Sequence, residues 1–167
     1  MRLRLHNDVE VLIRPIRRSD KPALAKGIEV LSPESVRRRF LTPKKGLTAG
    51  ELRYLTEVDF VNHVALVAVR AHAPYEPVAV GRWVRSIRSP DTAEIAIVVR
   101  DELQGIGLGT ALGTTLAWSA RALGIRRFTA TMLPENLAAR ALLRHLSAHL
   151  ETSVDRGAYE LAGDLAA

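Results

Sequence analysis

A glycine-rich turn is the segment whose residue types most clearly favour ligand binding. A continuous apolar run at residues 95–99 is followed by the turn, and apolar residues then recur at helical spacing. Glycines let backbone amides approach an anion closely, and the first turn of a helix adds a partial positive charge. The pattern therefore predicts a phosphate or pyrophosphate site. The residues of the turn are Gln104, Gly105, Ile106, Gly107, Leu108, Gly109 and Thr110.

Two common nucleotide-binding motifs do not fit this turn. A dinucleotide fingerprint needs a third glycine three residues after the second, but the two possible alignments place Thr110 or Leu112 there. A Walker-type loop needs Gly-Lys followed by Ser or Thr, and the turn has no such sequence. With these two motifs excluded, the turn fits an anion site built from backbone amides. The alternative is that the glycines only allow a helix to pack closely against a sheet.

Strands and helices are predicted on both sides of the turn. The patterns predict strands at residues 9–16, 63–71, 77–88, 92–100, 127–133 and, more weakly, within 152–161, and helices at 23–31, from 33, from 49, at 107–123 and at 136–146. The short connections favour antiparallel pairing of the three strands between 63 and 100. The strand, helix and strand of residues 92–133 require a parallel pair with a right-handed crossover. The predicted fold class is therefore α/β, or α+β, with a mixed and mostly antiparallel sheet.

Composition restricts the class of protein further. The 167 residues are 47% hydrophobic, which indicates one globular domain over residues 1–167. The absence of cysteine excludes a disulfide framework and a thiolate nucleophile within this chain. The longest apolar runs, 64–69 and 95–99, are far too short for a membrane-spanning helix, and the first residues show no secretory signal. We therefore expect a cytoplasmic protein with no membrane partner.

Positive charge is concentrated at the start of the chain. Residues 1–60 contain 13 basic and 8 acidic side chains, a surplus of 13 − 8 = 5 out of a net charge of +6. The densest part, Arg37 to Arg39 with Lys44 and Lys45, could attract a phosphate, an acidic protein surface or nucleic acid. Because aromatic residues do not alternate with these charges, a solvated helix face is favoured, and no nucleic-acid partner is predicted.

The turn also resembles a family motif. It matches Gln/Arg-x-x-Gly-x-Gly/Ala, the pyrophosphate loop of the GNAT-type N-acetyltransferases, and the order of predicted elements is similar to theirs over about residues 9–162. As in that family, the last helix starts at an asparagine, here Asn136. Residues 36–69 resemble the acetyltransferase domain of bacterial protein lysine acetyltransferases. The resemblance implies acetyl-CoA as co-substrate and direct attack of an amine on its thioester.

The resemblance also implies which residues bind the co-substrate. The backbone of Ile97, Val98 and Val99 would pair with the pantetheine arm, and an amide near Val98 would polarise the thioester carbonyl. Asn136 would hydrogen-bond the arm where the parallel strands separate, a role compatible with capping its helix. The pyrophosphate would be bound by the backbone amides of Gln104, Gly105, Ile106, Gly107, Leu108, Gly109 and Thr110.

Glu94 is the candidate base that removes a proton from the acceptor ammonium. It lies two pleat periods before Val98 and matches the position of the catalytic glutamate in the lysine-acetylating members. The alternative is a glutamate of an edge strand that faces solvent. Many members place a tyrosine seven residues after the asparagine to protonate the leaving thiolate, but Leu143 occupies that position here. No general acid is assigned, although Tyr75 or Tyr159 could substitute.

Two histidines raise the question of a metal. His145 and His149 are four residues apart and could share one helix face. Neither a cysteine nor a paired carboxylate completes a ligand set, so no metal is predicted.

Three functions fit these residues. The first is a protein lysine acetyltransferase, the second a small-molecule amine N-acetyltransferase on the same fold, and the third a non-catalytic CoA-binding sensor. The first two share every co-substrate residue, so the sequence separates them poorly. The sequence also leaves open whether the protein is a monomer or a homodimer.

Overall fold

A computed structural model describes residues 1–6 and 8–166, and within them the chain forms one eight-stranded sheet with five α-helices. The strands are β1 (Arg2–Arg4), β2 (Glu10–Pro15), β3 (His63–Arg70), β4 (Ala73–Arg85), β5 (Thr92–Val99), β6 (Arg127–Met132), β7 (Ser147–Asp155) and β8 (Ala158–Leu165). The helices are α1 (Lys21–Glu29), α2 (Pro33–Phe40), α3 (Ala49–Thr56), α4 (Leu108–Ala122) and α5 (Leu137–Leu146). None of these helices is long and apolar enough to cross a membrane.

The sheet is mixed, as predicted. Its strand order is β1-β2-β3-β4-β5-β6-β8-β7. Neighbours pair antiparallel except β5 and β6, which are parallel and are joined through α4. The predicted fold class and the predicted parallel pair are therefore confirmed.

Two features of the first 20 residues differ from what their sequence pattern indicates. The short strand β1 was not predicted, because its three residues contain a single apolar side chain. Ser19 and Asp20, residue types typical of a helix start, precede α1, but α1 has no side-chain cap. The Asp20 carboxylate instead accepts two hydrogen bonds from the Arg14 guanidinium, at 2.7 and 2.8 Å, and one from the Arg17 amide at 2.8 Å. This half-buried ion pair joins β2 to the start of α1.

The other two early helices begin where their sequence signals predict. The Ser32 hydroxyl accepts a hydrogen bond from the Ser35 amide at the start of α2. Thr48 and Glu51 form a complete capping box at the start of α3.

Apolar side chains pack on both faces of the sheet. One face is covered by α4 and α5, whose leucines pack against alternate residues of β2 to β6. The opposite face has a smaller core where Leu24 of α1 and Leu55 of α3 meet Ala65 of β3. Gly81 of β4 lets α4 approach the sheet, because a Cβ there would lie 2.8 Å from Leu116 Cδ1. The sheet therefore separates two environments, and β5 borders both.

Candidate functional site: a groove and a cleft on either side of β5

The parallel strands β5 and β6 separate soon after they begin. Their pairing covers Thr92 with Arg127, Ala93 with Phe128 and Glu94 with Thr129, and it ends there. Beyond Glu94, β5 stays paired with β4, whereas β6 stays paired with β8. A groove of about 560 Å³ opens between the two strands and is closed from one side by α5.

Unpaired backbone groups of β5 face this groove. The Arg100 amide donates to the Val78 carbonyl, and the Thr92 carbonyl accepts from the Ser86 amide, so the even-numbered residues of β5 bond to the β4 side. Successive residues of a strand direct their backbone groups to opposite sides. Beyond the last strand pair, the unpaired groups directed toward β6 include both backbone groups of Ile97 and the amide of Val99, whose carbonyl accepts from the Gln104 side chain.

The same alternation refines the prediction for the segment 97–99. Val98 pairs with Val80 of β4, and its amide therefore faces the neighbouring strand. The amides of Ile97 and Val99, on either side of it, face the groove. An extended ligand can therefore bond to β5 as an additional strand would, through alternate residues.

The glycine-rich turn forms one end of the groove. Gly105 and Gly107 have φ values of +75° and +93°, which glycine adopts readily and other residues adopt at a cost. Gly107 begins α4 without a side-chain cap, and the first turn has no acidic residue. The amides of Gly109 and Thr110 precede the first intrahelical bond, which runs from Ala111 to Gly107, so they are free to bind an anion.

Most of the residues that the sequence analysis assigned to the co-substrate meet in this groove. Ile106 and Leu108 do not line it, because Ile106 packs against the core and Leu108 is fully buried. His6, Arg38 and Arg39 also line the groove, although the sequence analysis did not assign them to it. The predicted residues that line it are Ile97, Val98, Val99, Gln104, Gly105, Gly107, Gly109, Thr110 and Asn136.

A polar network holds the turn against α2. The Gln104 side chain donates to the Val99 carbonyl at 3.0 Å and to the Ser35 hydroxyl at 3.1 Å. The Asp101 carboxylate accepts hydrogen bonds from the Ser32 amide and from the hydroxyls of Ser32 and Ser35. Burial alone would raise the pKa of Asp101, but these hydrogen bonds outweigh it and lower the pKa. The side chain of Gln104 therefore has a positioning role in addition to the predicted backbone role.

Asn136 lines the groove on the β6 side, directly before α5. Its side-chain oxygen accepts a hydrogen bond from the Ala139 amide at 3.1 Å, which caps the helix. The carboxamide nitrogen has no hydrogen bond to any described protein atom, and the residue lines the groove. The capping role is therefore observed, and a donor is left for a ligand.

Glu94 is exposed at the point where β5 and β6 separate. The next residue, Ile95, lines the groove. The Glu94 side chain lies on the opposite face of the sheet, the face of Val98 and Arg82, because side chains alternate along a strand. Its carboxylate raises the pKa of the Arg39 guanidinium, against the larger lowering effect of burial. Glu94 and Arg39 are therefore close, although they do not form an ion pair.

A second, smaller cavity lies on that face. It measures about 70 Å³ and is bordered by Leu24 of α1, Leu55 of α3 and Arg82 of β4. Arg39 and Val98 line this cleft as well as the groove. The two cavities therefore meet at Arg39 and Val98. Glu94 lines neither cavity, but its charge acts on Arg39.

Arg82 lies at the base of the cleft and is 4% exposed. Its two terminal nitrogens donate to the Leu55 carbonyl, both at 3.2 Å, and Nη1 lies 3.0 Å from Nε2 of His63. Burial, and then the nearby charge of Arg39, lower the pKa of Arg82 to about 9. Burial and the charge of Arg82 lower the pKa of His63 to about 4, against the opposite effect of Asp59. The Arg39 and Arg82 guanidinium groups therefore contribute positive charge to a cleft whose other walls are mainly apolar.

The candidates for a general acid lie elsewhere. Leu143 is 2% exposed and forms part of the groove wall, where an aliphatic side chain has no proton to give. Tyr75 is 89% exposed in β4, and Tyr159 lies in β8 with the Arg140 guanidinium 6.0 Å from its ring centre. Neither tyrosine borders the groove.

The histidine pair does not share a helix face. His145 is in α5 and borders the groove, whereas His149 is in β7, because the helix ends at Leu146. Across residues 1–6 and 8–166, no group of three or more His, Cys, Asp or Glu side chains could hold a metal ion.

Fold and site together define a class of protein. A splayed parallel pair with a free backbone edge, ending at an uncapped helix start, suits a long ligand that carries an anionic group at one end. Residues 10–149 match the model of the acetyltransferase (GNAT) domain. The chain belongs to the GNAT acetyltransferase family.

Individual relatives agree with this assignment. Acetyltransferase Pat of Mycolicibacterium smegmatis is 36% identical over 137 residues, which are 81% of this chain; the chain spans only 40% of the length of that relative. The crystal structure of the GNAT domain of S. lividans PAT superposes with a TM-score of 0.89 at 32% identity, covering 99% of this chain and 96% of that one. A GNAT superfamily phosphinothricin acetyltransferase from Sinorhizobium meliloti, solved in complex with acetyl-CoA, shares the fold alone: the TM-score is 0.70 at 18% identity, covering 93% of this chain and 88% of that one.

Proposed function

We propose that this chain transfers an acetyl group from acetyl-CoA to an amine, and that the acceptor is a lysine side chain of a protein. The observation that carries the proposal is the junction at β5. There a groove with free backbone amides meets a separate cleft at Arg39 and Val98, and the exposed carboxylate of Glu94 lies further back on the same strand and acts on Arg39. A reaction between a long co-substrate and a second molecule needs two such approaches to one point. Membership of the family and the similarity to the named acetyltransferases support the same reaction.

The residues of the groove fit acetyl-CoA. The free backbone groups of Ile97 and the free amide of Val99 match an amide-containing arm, and the amides of Gly109 and Thr110 match its pyrophosphate. The free carboxamide nitrogen of Asn136 supplies one more donor to the arm. When bound, acetyl-CoA supplies an activated acyl group as a thioester. A backbone amide of β5 stabilises the negative charge that develops on the carbonyl oxygen.

Glu94 acts as the base in this proposal. It takes a proton from the acceptor ammonium, so that the free amine can attack the carbonyl carbon. A carbon–nitrogen bond forms, the nitrogen releases its second surplus proton to water, the carbon–sulfur bond breaks, and CoA leaves as the thiolate. Since the chain has no cysteine, the acyl group does not pass through an enzyme thioester. With Leu143 in the groove wall, the proton for the thiolate comes from water.

A protein acceptor is favoured by the shape of the cleft. Helices α1 to α3 border it, and the cavity of about 70 Å³ holds the end of a side chain rather than an entire small molecule. The cysteine-free composition agrees with a reducing compartment, and the proposal places the protein in the cytoplasm.

The test is a CoA-release assay with acetyl-CoA, performed on the purified chain with a panel of proteins and of free amines. Lysine acetylation of the proteins is mapped by mass spectrometry. Release with proteins and modification of specific lysines would support the proposal. Turnover with free amines alone would indicate the small-molecule enzyme instead. Binding of acetyl-CoA that raises the melting temperature, with no release for any acceptor, would indicate the sensor.

A further inference from the structure

The three consecutive arginines of α2 have different surroundings. Arg37 forms an ion pair with Glu135 at 3.1 Å, and Arg38 forms one with Glu34. The Arg39 guanidinium lies 5.0 Å from the ring centre of Phe40 and has no carboxylate within ion-pair distance among the described residues. Arg39 alone of the three lines both cavities. Among the three arginines, Arg39 is thus the one that borders the cleft without an ion pair, and the Glu94 carboxylate acts on it from beyond ion-pair distance.

A second arginine with no described ion pair lies directly beneath Arg39. Arg82 is buried, and its hydrogen bonds go to the Leu55 carbonyl and to His63, which are uncharged partners. No described carboxylate offsets the charge of Arg82, and the nearby charge of Arg39 repels it. Two cations held together at the edge of a cavity are unfavourable in a medium of low dielectric constant unless an anion joins them.

The position of the two arginines relative to Glu94 sets the geometry of such an anion. Arg82 lies opposite Ala96 in the register of β4 and β5, so Glu94 is its diagonal neighbour, roughly 7–8 Å away between backbones. A molecule can therefore place an amine at Glu94 and a carboxylate at Arg39 at the same time. Arg39 can grip a carboxylate through two parallel hydrogen bonds.

We propose that Arg39, with Arg82 beneath it, forms a carboxylate subsite in the acceptor cleft, and that the protein selects acceptors that carry a carboxylate close to the reacting amine. This inference rests on the proposed function. In a protein acceptor the carboxylate is a Glu or Asp side chain near the lysine. In a free amine it is the carboxylate of the same small molecule. The recognising chemistry is the same in both cases.

The experiment compares matched acceptors. The peptides are blocked pentapeptides with a central lysine and one Glu at each of the four other positions in turn, each paired with the same peptide carrying Gln. The free amines are 6-aminohexanoate and its primary amide. We expect kcat/KM for the best carboxylate acceptor to exceed that of its neutral partner about tenfold. A preference among the peptides alone identifies an acidic side chain as the source, and one among the free amines alone identifies a small molecule.

Variants of α2 connect the preference to one residue. Arg39→Gln should remove the preference. Because Arg39 also lines the groove, kcat/KM for the Glu and Gln acceptors is compared at saturating acetyl-CoA, so that a change in co-substrate affinity affects both acceptors equally. Arg39→Lys keeps the charge but lacks the planar guanidinium, so the preference should be reduced and not lost. This variant is used for the comparison if the melting temperature of Arg39→Gln is well below that of wild type. Arg37→Gln removes a charge from the same helix and should change nothing. Equal use of charged and neutral acceptors by the wild type, or an unchanged preference in Arg39→Gln, would overturn the subsite.

A binding measurement separates this inference from the proposed function. The Nε-acetylated forms of the Glu and Gln peptides are titrated calorimetrically into the protein saturated with CoA, and no turnover is needed. Tighter binding of the Glu form that disappears in Arg39→Gln supports the subsite even if CoA release fails for every acceptor, a result that would overturn only the proposed transferase activity. Equal binding of the two forms alongside normal turnover would overturn only the subsite.

Discussion

The groove and the cleft on either side of β5 use different parts of the chain. The groove presents mainly backbone groups, from Ile97 and Val99 in the strand and from Gly109 and Thr110 in the helix start. The cleft presents side chains from distant segments, with Arg39 and Arg82 brought together from α2 and β4. Backbone recognition suits a ligand that every member of a family shares. Side-chain recognition can change by single substitutions, so the acceptor is the part of the reaction that such a fold varies most easily.

The largest expected effect is on turnover at the cleft. Glu94→Gln removes the proposed base without changing the shape of the side chain, and we expect kcat/KM to fall about a hundredfold or more at neutral pH. The affinity for acetyl-CoA should be unchanged, because the carboxylate lies on the opposite face from the groove backbone. CoA release measures the first quantity and calorimetry the second.

Glu29→Gln is the matched control, since Glu29 is an exposed carboxylate at the end of α1. Near-normal turnover of Glu94→Gln across pH 6 to 9 would exclude Glu94 as the base.

The next largest effect is on the affinity of the groove for acetyl-CoA. Gly107→Ala places a side chain where φ is +93°, a conformation that costs an L-residue about 1–2 kcal/mol. We expect the turn to relax in the unliganded variant, so that binding has to restore the strained conformation and the Kd of acetyl-CoA rises roughly five- to thirtyfold. Calorimetric titration measures it.

Gly109→Ala provides the control within the same turn. Its φ is ordinary, and the nearest atom to an added Cβ is Val99 Cγ2 at 3.7 Å, a normal contact. Equal affinities of the two variants would show that the shape of the turn does not determine binding.

The groove and the cleft also differ in how much of each could be predicted from the sequence. The turn was recognisable because glycine spacing fixes backbone shape locally, and the element order followed from hydrophobic periodicity and caps such as Thr48. Arg82 could not be recognised, because an arginine in a strand pattern gives no sign that it will be buried beneath α3. The contrast between Arg37 and Arg39 likewise depends on Glu135, which is almost 100 residues away in the chain.

A smaller effect separates the two roles of Asn136, which are capping α5 and donating a hydrogen bond to the co-substrate. Asn136→Ala should lower stability by about 1 kcal/mol, because the cap on Ala139 is lost. Asn136→Ser keeps a capping oxygen but lacks the carboxamide nitrogen, so its stability should be close to wild type. If that nitrogen binds the co-substrate arm, the Kd of acetyl-CoA should still rise about two- to tenfold. Urea unfolding and calorimetry separate the two roles, and wild-type affinity in Asn136→Ser would leave only the cap.

The smallest expected effect concerns the stability of the cleft at moderately acid pH. His63 is half-buried, with Nε2 facing Arg82 and its ring against Tyr54, and its pKa is lowered to about 4 by burial and by the charge of Arg82. In the unfolded chain a histidine titrates near 6.5, so between these values the unfolded state binds more protons. The contribution of neutral His63 is therefore complete above about pH 6.5 and decreases as the pH falls toward 4.

His63→Gln should flatten the dependence of the free energy of unfolding on pH over this window, measured by urea unfolding at intervals from pH 4.5 to 7.5. His72→Gln, in the exposed turn between β3 and β4, should leave the dependence as it is in the wild type. A slope that persists in His63→Gln would have to come from other groups, and the interior of the cleft would then be less electropositive than its two arginines imply. Because the same field acts on His63 and on an acceptor carboxylate, that outcome would weaken the case for selection of acidic acceptors as well.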